Sequence, residues 1–144
     1  MDALELLKQD HQKVKELLEE AEATEGGKEQ KEIFKQIKKE LETHAQIEET
    51  VFYPAMEKHE ELKDIVLESY EEHKQIKTLL REMEDLVSDS EKFEPKLQVL
   101  MENVEHYAEE EEEGKLFPKI RDLLDDAALE QLGQELESAK HKER

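Results

Sequence analysis

The chain has no cysteine and no tryptophan, and only four glycines and three prolines among its 144 residues. Without cysteine there are no disulfides, no thiolate metal sites and no thiol nucleophile. With so few Gly and Pro, and no β-branched runs, the chain can turn in few places, so long helices are the expected element. Aromatics make up 5% of the chain and apolar residues 35%, so a core must come from a regular pattern of aliphatic side chains. No apolar run approaches the ~18 residues that a transmembrane helix needs. The opening MDALELLKQD has neither a basic region nor an apolar stretch, and does not read as a signal peptide.

Positive charge is scarce as well. Lys and Arg number 21 against 41 Asp and Glu, for a net charge of −20. Such a surface repels phosphate, so neither nucleic acid nor a membrane is an expected partner. Composition alone would also suit a disordered acidic chain, which the periodicity described below excludes. The expectation is a single cytoplasmic, monomeric domain over 1–144, long enough for one core. A bundle would occupy about 1–125, and a short helix and tail 126–144.

Apolar residues recur in steps of three and four. A first helix is predicted over Asp2 to Ala23, with the seam Leu4, Leu7, His11, Val14, Leu18 and Ala21. Thr24-Glu25-Gly26-Gly27 ends it. A second is predicted over Lys28 to Lys58, with the seam Ile37, Leu41, His44, Glu48, Val51 and Ala55 and a kink at Pro54. After a turn at His59 and Glu60, a third spans Glu61 to Leu86. Its seam is Leu62, Val66, Ser69, His73, Ile76, Leu80, Met83 and Val87, and Ser88-Asp89-Ser90 follows as a loop. Pro95 suits a first helical turn, so a fourth helix runs from Phe93 to Glu113. Gly114 interrupts it, and Leu116 to Leu124 extends it through Pro118. Asp126 caps a last helix, Ala127 to Ala139. The fold class is all-α: an up-down-up-down four-helix bundle with a short C-terminal helix. Turn signals every 30 or so residues favour it over a coiled coil.

The two halves repeat one another. His11 and His73 are 62 residues apart, as are His44 and His106, and Glu48 and Glu110. Phe52-Tyr53-Pro54 is echoed by Leu116-Phe117-Pro118 at an offset of 64, the acidic run and Gly114 absorbing the difference. Each half thus carries a His and, 33 residues on, His-x-x-x-Glu. His11, His44, Glu48 and His73 lie in their seams. His106 and Glu110 share a face with Val99 and Asn103, while Leu97, Leu100 and Val104 offer a competing stripe.

Residues four apart on a helix project from one side, with about 6 Å of rise between them, so each His-x-x-x-Glu can address one centre. Imidazoles and carboxylates in a small apolar core cost several kcal/mol each if unpaired. No Lys or Arg stands in the seams beside them, so a bound cation is the natural counter-charge. Imidazole suits iron, zinc or manganese, and a carboxylate can bridge two ions. The pattern reads as a dinuclear site, with His11 and His44 on one side, His73 and His106 on the other, and Glu48 and Glu110 between. Spacing does not decide which His shares an ion with which.

His11, His44-Ala45-Gln46-Ile47-Glu48, His73 and His106-Tyr107-Ala108-Glu109-Glu110 resemble the hemerythrin-like HHE cation-binding domain over about residues 1 to 125. The resemblance implies a four-helix bundle around two non-haem, carboxylate-bridged iron ions. It also implies a small-molecule partner, dioxygen, hydrogen peroxide or nitric oxide, which is bound or reacted with. Peroxide degradation, nitric-oxide reduction, and sensing of iron or oxygen are all open. A zinc or other divalent-metal bundle without redox turnover is the alternative. Oxygen carriers of the family have a fifth His in the third helix, where this chain offers Ser69 and Lys77. Their second carboxylate follows its His by five residues, which would be Glu111, whereas repeat symmetry selects Glu110. Ferritin-like bundles use Glu-x-x-His, which none of these His carries.

The remaining candidates read as structural. His59 and His141 have no repeat partner and are expected on the surface. Tyr53 and Phe117 are expected in the core. Tyr107 and Tyr70 could approach the cluster as hydrogen bonders, with packing as the simpler role. Glu109 to Glu113 reads as a solvated face with one member recruited inward, since EF-hand spacing is absent. Met56, Met83 and Met101 are gap fillers.

Overall fold

Asp2 starts the first helix, α1 (Ala3–Ala23). Its Oδ1 accepts the Glu5 amide at 2.9 Å, satisfying one of the amides that a helix start leaves free. Gly26 and Gly27, at φ of 56° and 69°, make a turn that side-chain-bearing residues rarely adopt. α2 (Gly27–Ile47) follows, packed against α1. The computed structural model describes residues 1–86 and 90–143, and no strand occurs among them. Val87, Ser88 and Asp89, assigned from sequence to a seam and a loop, lie outside the described residues.

α2 continues into a π-helical segment, Glu48–Phe52, and then α3 (Tyr53–Glu57). A 3₁₀ turn, Glu60–Leu62, leads into α4 (Lys63–Glu84). α5 (Phe93–Glu105) runs into a second, longer π-helical segment, His106–Leu116, and then α6 (Phe117–Leu123). These four arms form the four-helix bundle, with α1 on α2, α4 on α5, and α1 on α5. The seams expected for the first and third helices are buried over Leu4–Ala21 and Leu62–Met83.

Three expectations change. Pro54 and Pro118 do more than kink their helices. A proline has no N–H, and its ring crowds the carbonyl four residues back, so the preceding turn loosens from four-residue to five-residue bonds. The Tyr53 amide accordingly bonds to the Glu48 carbonyl, and the Phe117 amide to the Glu112 carbonyl. Gly114 does not interrupt the helix. It sits in the wide π winding, where an added Cβ would lie 3.0 Å from the Glu109 carbonyl oxygen. The C-terminal helix is not short, since α7 (Asp126–Glu143) has 18 residues. Its cap is Asp125, whose Oδ1 accepts the Ala128 amide at 2.8 Å. α7 packs along α1, α2 and the first π segment.

The core has two apolar parts. One gathers Leu4, Leu7, Ile47, Phe52, Met56, Leu62, Val66, Phe117, Leu129 and Leu136. The other gathers Val14, Leu18, Phe34, Ile37, Leu41, Ile76, Leu80, Phe93, Leu97 and Leu100. Each large side chain so buried contributes roughly 1.5–3 kcal/mol. Polar residues are buried in both halves of the bundle, Asp10, His11, His44, Glu48, Ser69, His73, Glu111 and Glu112 among them. In sequence most fall between the stretches that feed the two apolar parts.

Candidate metal centre

Each arm of the bundle brings an imidazole or a carboxylate, groups able to hold a metal, to this polar region. α1 contributes His11, α2 contributes His44, the first π segment Glu48, α4 His73, and the second π segment Glu112. His11 Nε2 lies 2.9 Å from Glu112 Oε1. His44 Nε2 and His73 Nε2 each lie 3.1 Å from Glu48 Oε1. His44 Nε2 is 3.9 Å from Glu112 Oε1, which links the two groups. Two phenols close the cluster. Tyr53 donates to Glu112 Oε2 at 2.7 Å and lies 3.2 Å from Glu48 Oε1. Tyr107 donates to Glu48 Oε1 and lies 3.0 Å from His44 Nε2.

The outer nitrogen of each ring faces a second carboxylate. His11 Nδ1 pairs with Glu113 at 2.6 Å, His44 Nδ1 with Asp10 at 3.1 Å, and His73 Nδ1 with Glu49 at 2.7 Å. A carboxylate can only accept, so each Nδ1 carries the proton. In the neutral ring Nε2 then holds a lone pair aimed at a carboxylate oxygen, which also holds lone pairs. Two acceptors about 3 Å apart repel unless a proton or a cation lies between them. His11 Nε2, Glu48 Oε2 and Glu112 Oε1 are moreover buried without any hydrogen-bond partner, which costs a desolvation penalty each.

The titration behaviour expresses the same demand for positive charge. Burial pushes the Glu112 carboxyl up to about 7, helped by the charge of Glu48. Burial also disfavours the His73 cation, but hydrogen bonds to Glu48 and Glu49 outweigh it and raise the ring to about 9. His11 and His44 move up in the same way against burial, through Glu112 and Glu113 and through Glu48 and Asp10. Glu48 falls well below the usual carboxylate range despite its burial, because His44 and His73 surround it.

Of the six ligands expected from sequence, His11, His44, Glu48 and His73 come together. The expected placement of His106 and Glu110 beside them is corrected. His106 and Glu110 stand on the outer face, with side chains 52% and 65% exposed, paired to each other. The competing stripe Leu97, Leu100 and Val104 is the buried one, and the π winding continues it to Tyr107, Glu111 and Glu112. Tyr107 thus stands where the repeat predicts a His. Glu111, the residue selected by family spacing, is buried but turns to Lys115 at 3.0 Å and His106 at 3.6 Å. Glu112 is the inward carboxylate, and the Pro54–Pro118 offset of 64 was its signal, since Glu48 and Glu112 are also 64 apart. Tyr53, expected only to pack, is part of the cluster.

The donor set, three imidazole nitrogens and two carboxylates, fits a divalent transition-metal ion. One atom each from His11, His44 and Glu112 lies within 4.8 Å of the others. A model of the hemerythrin HHE cation binding domain matches residues 2–120. The chain belongs to this family. Its fold matches that of a crystallised HHE domain-containing protein from Mycobacterium kansasii, with a TM-score of 0.86, 23% identity, and coverage of 99% of this chain and 87% of that one. A curated relative, a DNA nickase from Nostoc sp., is 30% identical over 142 residues, which is 99% of this chain and 40% of the relative. The chain therefore spans about 40% of that relative's length. No helix of this HHE domain is long and apolar enough, among the described residues, to cross a membrane.

Proposed function

We propose that this HHE domain holds two iron ions through His11, His44, Glu48, His73 and Glu112, and that dioxygen, hydrogen peroxide or nitric oxide binds and reacts there. The observation that carries the reading is the orientation of the three rings. Each is locked by a carboxylate on Nδ1, so that Nε2 faces a second carboxylate across about 3 Å, the separation of neighbouring ligands on one small cation.

Bound iron would supply Lewis acidity and one-electron exchange at each ion. The protein does the rest. Asp10, Glu49 and Glu113 fix the tautomer of their rings and raise the basicity of Nε2. Tyr53 and Tyr107 hold the carboxylates of Glu112 and Glu48 in place and offer phenolic protons beside them. Phe117 stacks on His11 at 6.3 Å, and Val14, Leu41, Ile76, Leu80 and Val104 line a void of about 30 Å³ beside the three rings. That volume admits a molecule of two or three atoms. Three imidazoles, against five in the family's oxygen carriers, leave more positions for an external ligand, which favours reaction or sensing over reversible carriage. A net charge of −20 favours a small neutral partner over nucleic acid.

His11, His44 and Glu112 alone form a two-His, one-carboxylate set that a single zinc or manganese ion could also use. Elemental analysis of protein from iron-supplemented cells separates the readings. Two irons per chain, with loss of peroxide or nitric oxide on mixing, is the expected result. One zinc per chain, or no metal, contradicts it.

A further inference from the structure

We propose that Lys140 is a positioning residue of the metal centre, acting on His44 through Asp10, so that α7 belongs to the site. The inference rests on the metal reading above, and extends it to a helix beyond residues 2–120, which the family pattern covers.

Asp10 is buried and divides its carboxylate between two partners. Oδ2 receives His44 Nδ1 at 3.1 Å, and Oδ1 accepts from Lys140 Nζ. Lys140 is drawn in from α7, 130 residues along the chain, with its side chain only 20% exposed. A buried carboxylate holding one ring N–H would keep an uncompensated charge and a bare oxygen; the ammonium answers both. Glu49 shows the same arrangement within the bundle. It accepts from His73 Nδ1 at 2.7 Å and from Lys77 at 3.0 Å, and Lys77 follows His73 by one turn of α4. For His44 neither α1 nor α2 supplies such a lysine. Among the described residues, Lys140 is the one lysine or arginine paired with Asp10.

α7 is seated closely enough to do this. The Gly133 backbone lies against the start of the chain, where an added Cβ would come 2.2 Å from the Met1 carbonyl oxygen and 3.0 Å from the Ala3 nitrogen. The Met1 ammonium pairs with Glu130 at 2.8 Å. Gly133 to Lys140 is seven residues, as is Ala3 to Asp10, so α7 and α1 run side by side and deliver Lys140 to Asp10. The ammonium fixes where Asp10 points, and Asp10 fixes the His44 ring with Nε2 inward.

The test uses the full chain, with cobalt(II) as probe ion and the ring N–H signal of His44 by nitrogen-resolved NMR. Lys140→Met should shift or broaden that signal in the metal-free protein and weaken cobalt binding roughly 10- to 100-fold, the usual effect of losing a partner behind a ligand. Lys140→Arg should restore both. Lys142→Met, on the same helix, should change neither, and circular dichroism checks that each variant is folded. A Lys140→Met protein with either an unchanged His44 signal or unchanged cobalt affinity overturns the proposal. If the unaltered protein takes up no cobalt, the metal reading fails instead, and the His44 signal of the metal-free variants alone decides the role of Lys140.

Discussion

Glu48 and Glu112 stand at matching points of the two halves, each six residues before a proline, and each gives its carbonyl to a five-residue π bond. Both carboxylates are almost fully buried, and the Tyr53 hydroxyl lies 3.2 Å from one and 2.7 Å from the other. The symmetry of the site therefore runs through this pair. Glu110, which the 62-residue repeat selects, is not part of it.

Substitution separates the two assignments. Glu112→Gln keeps the shape of the side chain and removes its charge, and should lower iron affinity about 100-fold or more. Glu110→Gln and His106→Ala remove exposed groups and should leave iron content and affinity within about threefold of the unaltered protein, by the mild effect of surface changes. Metal content after gel filtration reads this directly.

The metal-free protein should lose stability as pH rises from 6 to 9. The Glu112 carboxyl has its folded-state pKa raised to about 7, so its contribution is full below the ordinary carboxylate value and lost as pH climbs to 7. The His73 ring, raised to about 9, contributes fully below about 6.5 and loses that as pH approaches 9. Both act in the same direction, and the depressed Glu48 is already ionised throughout this window. The sum is on the order of a few kcal/mol. Iron needs the deprotonated ligands, so the rise in melting temperature that it produces should grow over the same range. A metal-free protein more stable at pH 9 than at pH 6 would contradict these assignments.

Tyr107→Phe removes the phenol proton given to Glu48 and leaves the ring in place. A hydrogen bond to a charged group contributes roughly 1.5–3 kcal/mol, and urea unfolding of the metal-free variant should show a loss of that size. An unchanged midpoint would mean that Glu48 does not depend on the phenol.

Gly133→Ala tests the seat of α7. The added methyl would overlap the Met1 carbonyl oxygen, and overpacking of this kind costs about 1–3 kcal/mol. Hydrogen exchange should show α7 opening more readily than α4 in the variant. Exchange no faster than in the unaltered protein would argue against the close contact.

Much of this arrangement is legible in sequence because a straight α-helix repeats faithfully. The seams of the first three helices place His11, His44, Glu48 and His73 on the core side. The reading breaks down where the winding changes. His106 already stands on the outer face, off the buried stripe Leu97, Leu100 and Val104, and over His106–Leu116 five-residue bonds replace four-residue ones, so the inward face runs on through Tyr107 to Glu112. The Pro118 offset carried that information, but an offset does not say where along the helix the extra residues are taken up. Asp10, Glu49, Glu113 and Lys140 were hidden for another reason. They meet their rings across helices, and pairing between helices leaves no period in the chain.

Anaerobic titration of iron(II) into the metal-free protein decides whether three histidines and two buried glutamates hold a pair of irons. The expected end point is two equivalents per chain, falling to one or none in Glu48→Gln and Glu112→Gln. Saturation at one equivalent in the unaltered protein, or an unchanged end point in the two variants, would contradict it.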